Sequence, residues 1–245
     1  MLLDGATLAA VAALGTGAAV VGAVGGFGTG VILATALVPV IGIKAIVPVM
    51  AVAGILINAG RFWFYRRDAV PRTVLLVLAG ALPSIVAGTW IYSQLDARAV
   101  GTILGAVVIA TVPVRRWLLH HRIVLNAPGI VAGSAAYGVS SGVAAGTGMI
   151  QISVLMGAGL GGAAVLGTDA LATIAIDLCK AALFQRFSLL DEQSVVLGLA
   201  IGAGSIPGSA AGAWLVRRMH AHVHAAFMEA LILFGGAFML WQAWK

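Results

Sequence analysis

Asp169, Thr173, Asp177 and Lys180 stand four, four and three residues apart inside an otherwise apolar run. At 100° per residue they fall within roughly 80° of one another, a single stripe on one helix face. Ionisable groups inside a membrane helix face a cavity or a partner and are functional candidates by default. The chemistry such a stripe offers is proton uptake on Asp169 or Asp177 and a positive charge, Lys180, for an anion. Asp177 and Lys180, at i and i+3, are also placed to pair with each other, and a structural ion pair with polar helix contacts uses the same residues. Thr168 adds polarity beside them.

Two glycine runs supply a second kind of chemistry. Residues Gly25 to Gly30 read Gly-Gly-Phe-Gly-Thr-Gly, and Gly142 to Gly148 read Gly-Val-Ala-Ala-Gly-Thr-Gly. Each interrupts an apolar stretch too long for one straight membrane helix. Irregular backbone at membrane depth is tolerated only where protein or a watery cavity satisfies it. The helix after each break begins with free N–H groups and a positive dipole end, which suits an anion. These starts are Thr29-Gly30-Val31 and Thr147-Gly148-Met149. The candidate substrate-binding residues are therefore Gly26, Gly28, Thr29, Gly30, Gly146, Thr147, Gly148 and Gln151, with Thr173 and Lys180 from the polar stripe. Asn58 and Arg61 join them from an earlier segment. Asn58 is deep enough to hydrogen-bond a ligand or a neighbouring helix; Arg61 fits snorkelling better than substrate contact. Glycines that merely permit close helix packing are the competing account of the runs.

Composition demands a bilayer around these residues. The chain has 245 residues, 61% hydrophobic and 9% charged, with mean hydropathy +1.08. A soluble domain carries about 25% charged residues, so lipid must be the solvent here. Continuous apolar runs favour helices over a barrel. The 33 glycines suit close helix approach in lipid. One cysteine, Cys179, rules out an intrachain disulfide framework. The net charge of +6 sits in short arginine clusters between apolar runs, which is membrane-orientation charge and not a nucleic-acid signal. Asp4 stands where a cleavable signal would carry positive charge.

The apolar segments run over 5–24, 29–42, 45–65, 72–94, 99–118, 124–143, 148–160, 163–186, 193–215 and 224–244. Those at 29–42 and 148–160 are too short to span, each reading as one arm of a broken or re-entrant element. Pro71 and Pro128 lie near helix starts, where proline is tolerated. The fold class is all-α: a polytopic membrane protein with about 8–10 membrane segments, forming one integral membrane domain.

The halves resemble each other. Phe27-Gly28-Thr29-Gly30 matches Ala145-Gly146-Thr147-Gly148, and Gly80-Ala81-Leu82-Pro83 through Trp90 matches Gly204-Ser205-Ile206-Pro207 through Trp214. Two membrane repeats, 1–122 and 123–245, follow. Arg66-Arg67-Asp68…Arg72 in the first copy corresponds to Arg186…Asp191-Glu192, and Gln94…Asp96…Arg98 corresponds to Arg217-Arg218-Met219-His220. The positive loop thus changes place between copies. Lys and Arg are retained on the cytoplasmic side, so the copies point in opposite directions, with the N-terminus outside. Glu229 reads as interfacial. His220, His222 and His224, like His120 and His121, read as polar linkers; no metal or cofactor is expected. Trp90, Trp117, Trp214, Trp241 and Trp244 read as interfacial belt residues.

The chain resembles the sulfite exporter TauE/SafE family, also described as toluenesulfonate uptake permeases. The resemblance is carried by Gly25 to Gly30, by Asn58-Ala59-Gly60-Arg61-Phe62-Trp63-Phe64-Tyr65-Arg66-Arg67, by the repeated Gly/Ala-Pro-Gly-Trp segment, and by Gly212-Ala213-Trp214-Leu215…Arg217-Arg218. It covers nearly the whole chain. It implies transport of sulfite, organosulfonates or related carboxylates across the inner membrane. The family's unbroken glycine triplet is Gly-Thr-Gly in both copies here. Its later proline is replaced by Thr35 in the first copy and by Gln151 or Ser153 in the second, where a ligand would touch.

These features lead to a secondary transporter of small anions, its halves rocking around a midplane site and the proton gradient driving it through the two aspartates. An ion channel lined by the broken helices is the alternative. No enzyme motif is apparent. The partners are a small anion and the lipid bilayer, and a homo-oligomer is compatible with the sequence.

Overall fold

The computed structural model describes residues 5–23, 28–121, 124–216 and 221–245. Among them there are ten α-helices and no strand. The helices are α1 (Gly5–Ala23), α2 (Gly28–Ile41), α3 (Ile46–Tyr65), α4 (Pro71–Gln94), α5 (Ala97–His121), α6 (Ala127–Val143), α7 (Gly148–Gly157), α8 (Ala163–Arg186), α9 (Glu192–Val216) and α10 (Ala221–Trp244), with a 3-10 turn at Ile43–Ala45. Gly25, Gly26 and Phe27 of the first glycine run lie outside the described residues, as do Arg122, Arg217, Arg218 and His220.

Local chemistry fixes the boundaries. Pro71 opens α4 after an extended Val70, where its fixed φ and missing N–H are no handicap. Asn126 caps α6, its side chain accepting from the Gly129 N–H at 3.0 Å, with Pro128 in the first turn. Helix α7 is stopped by Gly159 at φ 84°, and Leu160 N–H bonds back to Leu155 O at 3.2 Å. Leu125 N–H also bonds Gly157 O at 2.7 Å, so the end of α7 is tied to the start of α6.

Four stretches of the described residues are long and apolar enough to cross a membrane: Ile43–Tyr65, Pro71–Gln94, Ala97–Val114 and Glu192–Ala211. Helix α8 has the length, 24 residues, but carries Asp169, Asp177 and Lys180 in its middle. All three are buried in protein. Outward faces carry Trp63, Phe64, Leu75, Trp90, Phe234, Trp241 and Trp244, an apolar exterior of the kind lipid covers. Of the five tryptophans expected at the interface, Trp90, Trp241 and Trp244 are exposed; the side chains of Trp117 and Trp214 lie outside the description.

Glycine decides which helices meet. Gly80 and Gly88 of α4 lie against the carbonyls of Val131 and Val139 of α6. Gly204 and Gly208 of α9 lie against the carbonyls of Ala12 and Thr16 of α1 in the same way. Residue numbers rise together on both partners, so both pairs are parallel. A methyl at any of these four glycines would overlap a carbonyl oxygen. Thr16 Oγ1 reinforces the second pair, donating to Gly204 O at 2.8 Å. Helix α3 runs parallel to α9, with Gly198 on Val49 and Val52 and Gly202 on Ala53 and Leu56. It runs antiparallel to α8, with Gly54 at Asp177 and Gly167 at Tyr65. Helices α5 and α10 are antiparallel too, Gly101 facing Ala243 and Gly105 facing Gly236. Exchanging the first five helices for the last five maps these pairings onto themselves: α1 on α9 becomes α6 on α4, α3 on α9 becomes α8 on α4, and α3–α8 and α5–α10 are unchanged.

Two apolar clusters flank the middle. One joins Leu33 and Leu37 of α2 to Val47 and Val49 of α3, Leu104 of α5 and Ile201 of α9. The other joins Val77 and Ile85 of α4 to Tyr137 of α6, Leu155 of α7 and Ile176 of α8. Tyr92 locks the rim of the first: its hydroxyl donates to Lys44 O at 2.9 Å, and its ring meets Phe184 edge-on at 5.2 Å.

Candidate functional site

The second glycine run ends a helix deep inside the protein. Helix α6 stops at Val143, Ala144 turns extended, and Gly146 takes φ +85°. That left-handed turn is why glycine stands at 146. Helix α7 then begins at Gly148, and Thr147 caps it without a side-chain hydrogen bond. Ile150 N–H bonds Thr147 O at 2.9 Å, whereas the Gly148 and Met149 N–H groups precede the first intrahelical bond. The ten residues of α7 span roughly 15 Å, half the ~30 Å hydrocarbon thickness. That is the length of a half-crossing, as a broken element requires. Gly30, in the first turn of α2, comes to the start of α7: a methyl on it would sit 3.8 Å from Gly146 Cα.

Beside this start lies a cavity of about 120 Å³, room for several waters or one small anion. Gly30 and Ala144 to Gly148 line one side of it. Asp169, Thr173, Asp177 and Lys180 of α8 line another. Asn58 and Arg61 of α3 and Tyr137 and Ser141 of α6 complete its polar wall. Val47, Met50, Ile57 and Ile152 make it apolar elsewhere. The stripe on α8 therefore faces the helix break.

Its charges are paired. Arg61 Nη1 meets Asp169 Oδ2 at 2.6 Å, bridging α3 and α8. Lys180 Nζ meets Asp177 Oδ1 at 2.9 Å within α8, and also reaches Ser141 Oγ at 3.3 Å. Arg61 is thus an interior partner: its side chain is 23% exposed, and it departs from the snorkelling expected of it. Two cations and two carboxylates line the cavity, so its side-chain charge sums to zero. Gly54 makes room for Asp177, whose carboxylate occupies the space a side chain there would need.

Asn58 Nδ2 donates to Gly54 O at 2.9 Å, while its buried Oδ1 has no partner. Tyr137 lies within hydrogen-bonding reach of Ser141 and Thr173. Gln151 is wholly buried with neither amide atom partnered, and it does not line the cavity. Thr168 is structural: its Oγ1 accepts from Val70 N–H at 3.0 Å, holding the α3–α4 loop on α8. Gly28 and Thr29 open α2, but nothing of the Thr29 side chain is described, nor of Glu229, His222 and His224. Gly26 lies outside the described residues. No trio of His, Cys, Asp or Glu placed to hold a metal occurs among the described residues.

The sequence missed Gly54, Tyr137 and Ser141, and it missed one internal match. Asn58 and Arg61 stand 119 residues before Asp177 and Lys180, with the same spacing of three. That offset lies one residue from the offset of the glycine motifs. The two halves thus bring equivalent pairs, Asn-x-x-Arg and Asp-x-x-Lys, to one cavity.

Compared with known families, residues 11–239 match the model described as Sulfite exporter TauE/SafE. No curated protein and no solved structure matches the chain.

Proposed function

Because this chain belongs to the sulfite exporter TauE/SafE family, we propose that it carries a small anion such as sulfite, an organosulfonate or a related carboxylate through the cavity between α3, α6, α7 and α8. It is a multi-pass membrane transporter protein. The observation that carries the site assignment is the meeting, in one buried cavity, of a helix start with Arg61 and Lys180. A first-turn N–H cradle favours negative charge, and Arg61 and Lys180, balanced by Asp169 and Asp177, offer donors beside it. At about 120 Å³ the cavity is smaller than the ~150 Å³ cavity known to accommodate benzene, which favours compact anions over aromatic sulfonates.

Transport proceeds by alternating access at this fixed site. A carboxylate of the cavity, Asp169 or Asp177, couples it to the proton gradient. Residues 1–122 and 123–245 are two inverted repeats. The antiparallel runs of α3 against α8 and of α5 against α10, which occupy matching places in the halves, support inversion. With the arginine-rich loops inside, the N-terminus lies outside the inner membrane.

The test is anion flux in proteoliposomes with Gly30→Val and Gly148→Val. Both variants should insert and lose flux; normal flux in both rejects the site. Electrical conductance far above transporter turnover would favour a channel instead.

A further inference from the structure

We propose that Asp177 alone takes up the coupling proton, that Lys180 passes from Asp177 to the bound anion, and that one proton therefore travels with each monoanion moved. This assignment rests on the transport reading above.

The starting point is charge balance. Arg61, Lys180, Asp169 and Asp177 cancel within the cavity. An added monoanion would leave one uncompensated negative charge in the interior, at a cost too high to bear unless a partner arrives with it. A proton on one aspartate restores neutrality.

The geometry chooses the aspartate. Asp169 is held by Arg61 through a short charge-assisted bond between two helices. Asp177 is held by Lys180, which also touches Ser141 near the C-terminal end of α6, a few residues before the α7 start where an anion docks. An anion there competes with Asp177 for the same ammonium. Asp169 lies two turns away, roughly 12 Å along α8.

Asn58 of α3, its counterpart in the other half, lies beside the Asp177 carboxylate. The groups facing Asp177 are Lys180 and Asp169 on α8, Arg61 and Asn58 on α3, and Tyr137 on α6.

The step balances. A hydronium ion on the loading side gives its proton to an Asp177 oxygen and leaves as water. The hydrogen bond from Lys180 to Asp177 breaks and one from Lys180 to the anion forms. Release on the far side reverses both, and no net charge crosses with a monoanion.

The experiment uses the full chain in proteoliposomes with methanesulfonate, which stays singly charged, as the probe. Exchange of labelled for unlabelled probe is measured beside net uptake driven by a pH gradient, with an entrapped pH dye counting protons. Wild type should exchange and move one proton per anion. Asp177→Asn should exchange yet lose gradient-driven uptake at least tenfold, and its exchange should no longer vary with pH. Asp169→Asn should keep the one-to-one ratio in whatever flux remains. Wild type that exchanges without moving protons overturns the assignment alone, as does Asp169→Asn that loses the ratio while Asp177→Asn keeps it. Wild type that does not exchange the probe overturns this assignment together with the anion-transport reading of the site.

Discussion

Gly54 of α3 packs directly on the Asp177 carboxylate of α8, so that a methyl at Gly54 would overlap Oδ2. No other side chain leaves the carboxylate where it stands against Lys180. Gly54→Ala should displace it and weaken a charge-assisted contact worth ~1.5–3 kcal/mol, which corresponds to about tenfold or more in flux. Gly60→Ala is the control on the same helix, because its methyl would meet only Ile206 at an ordinary 3.7 Å. Equal flux in the two variants, measured in proteoliposomes at matched protein density, would remove Gly54 from the site.

The Arg61–Asp169 pair predicts a stability effect separable from transport. Removing one partner of a buried pair costs about 3–5 kcal/mol, because a charge is left without company. The 23% exposure of the Arg61 side chain reduces this to roughly 2–3 kcal/mol through solvent screening. Arg61→Met and Asp169→Leu should each lower the unfolding midpoint in detergent. The double variant should recover much of the loss. A double variant as unstable as the two losses added together would show that the pair contributes nothing.

Gly80 and Gly204 hold matching places in α4 and α9, and each faces a carbonyl of its partner helix. Overpacking such a contact costs about 1–3 kcal/mol. Gly80→Ala and Gly204→Ala should therefore destabilise by similar amounts, read from detergent unfolding. Gly161→Ala, with open space around it, should be neutral. A large difference between the first two would argue against equivalent halves.

Asp191 lies outside the membrane-spanning helices and caps α9, accepting from Ser194 N–H at 2.8 Å. Hydrogen bonds from Ser194 hold its carboxyl below the usual carboxylate range. A lowered folded-state value means stability that is present above the ordinary value near ~3.9 and is lost as pH falls through the folded one. Asp191→Ala should cost ~0.5–1 kcal/mol at neutral pH, as the loss of a helix cap does. The gap from wild type should close on acidification below about pH 4. A gap that stays constant down to pH 2.5 would show that the cap does not depend on the carboxylate's charge.

Much of this architecture was legible because membrane helices announce themselves by continuous apolar runs. Helix α3 begins one residue from the expected segment, α8 coincides with its own, and Pro71 and Pro128 stand in first turns as their chemistry requires. The polar stripe on α8 was legible from spacing, and so was the Asp177–Lys180 pair, since both lie within one turn. The Arg61–Asp169 bond was not: its partners are 108 residues apart, and a lone arginine near a helix end carries no mark of whom it meets. Tyr137 and Ser141 read as ordinary helix residues until α6 is folded against α8. Gln151 was placed at the site by its distance along α7, but its rotation about that helix turns it into packed protein.

Helix α1 rides on α9, and α6 rides on α4, so each half of the sequence has lent a helix to the other. Alternating access as proposed above would then move hybrids, α1 with α3 and α9 against α6 with α4 and α8, along the α3–α8 contact. A chain severed between α5 and α6 would leave each fragment without part of both blocks.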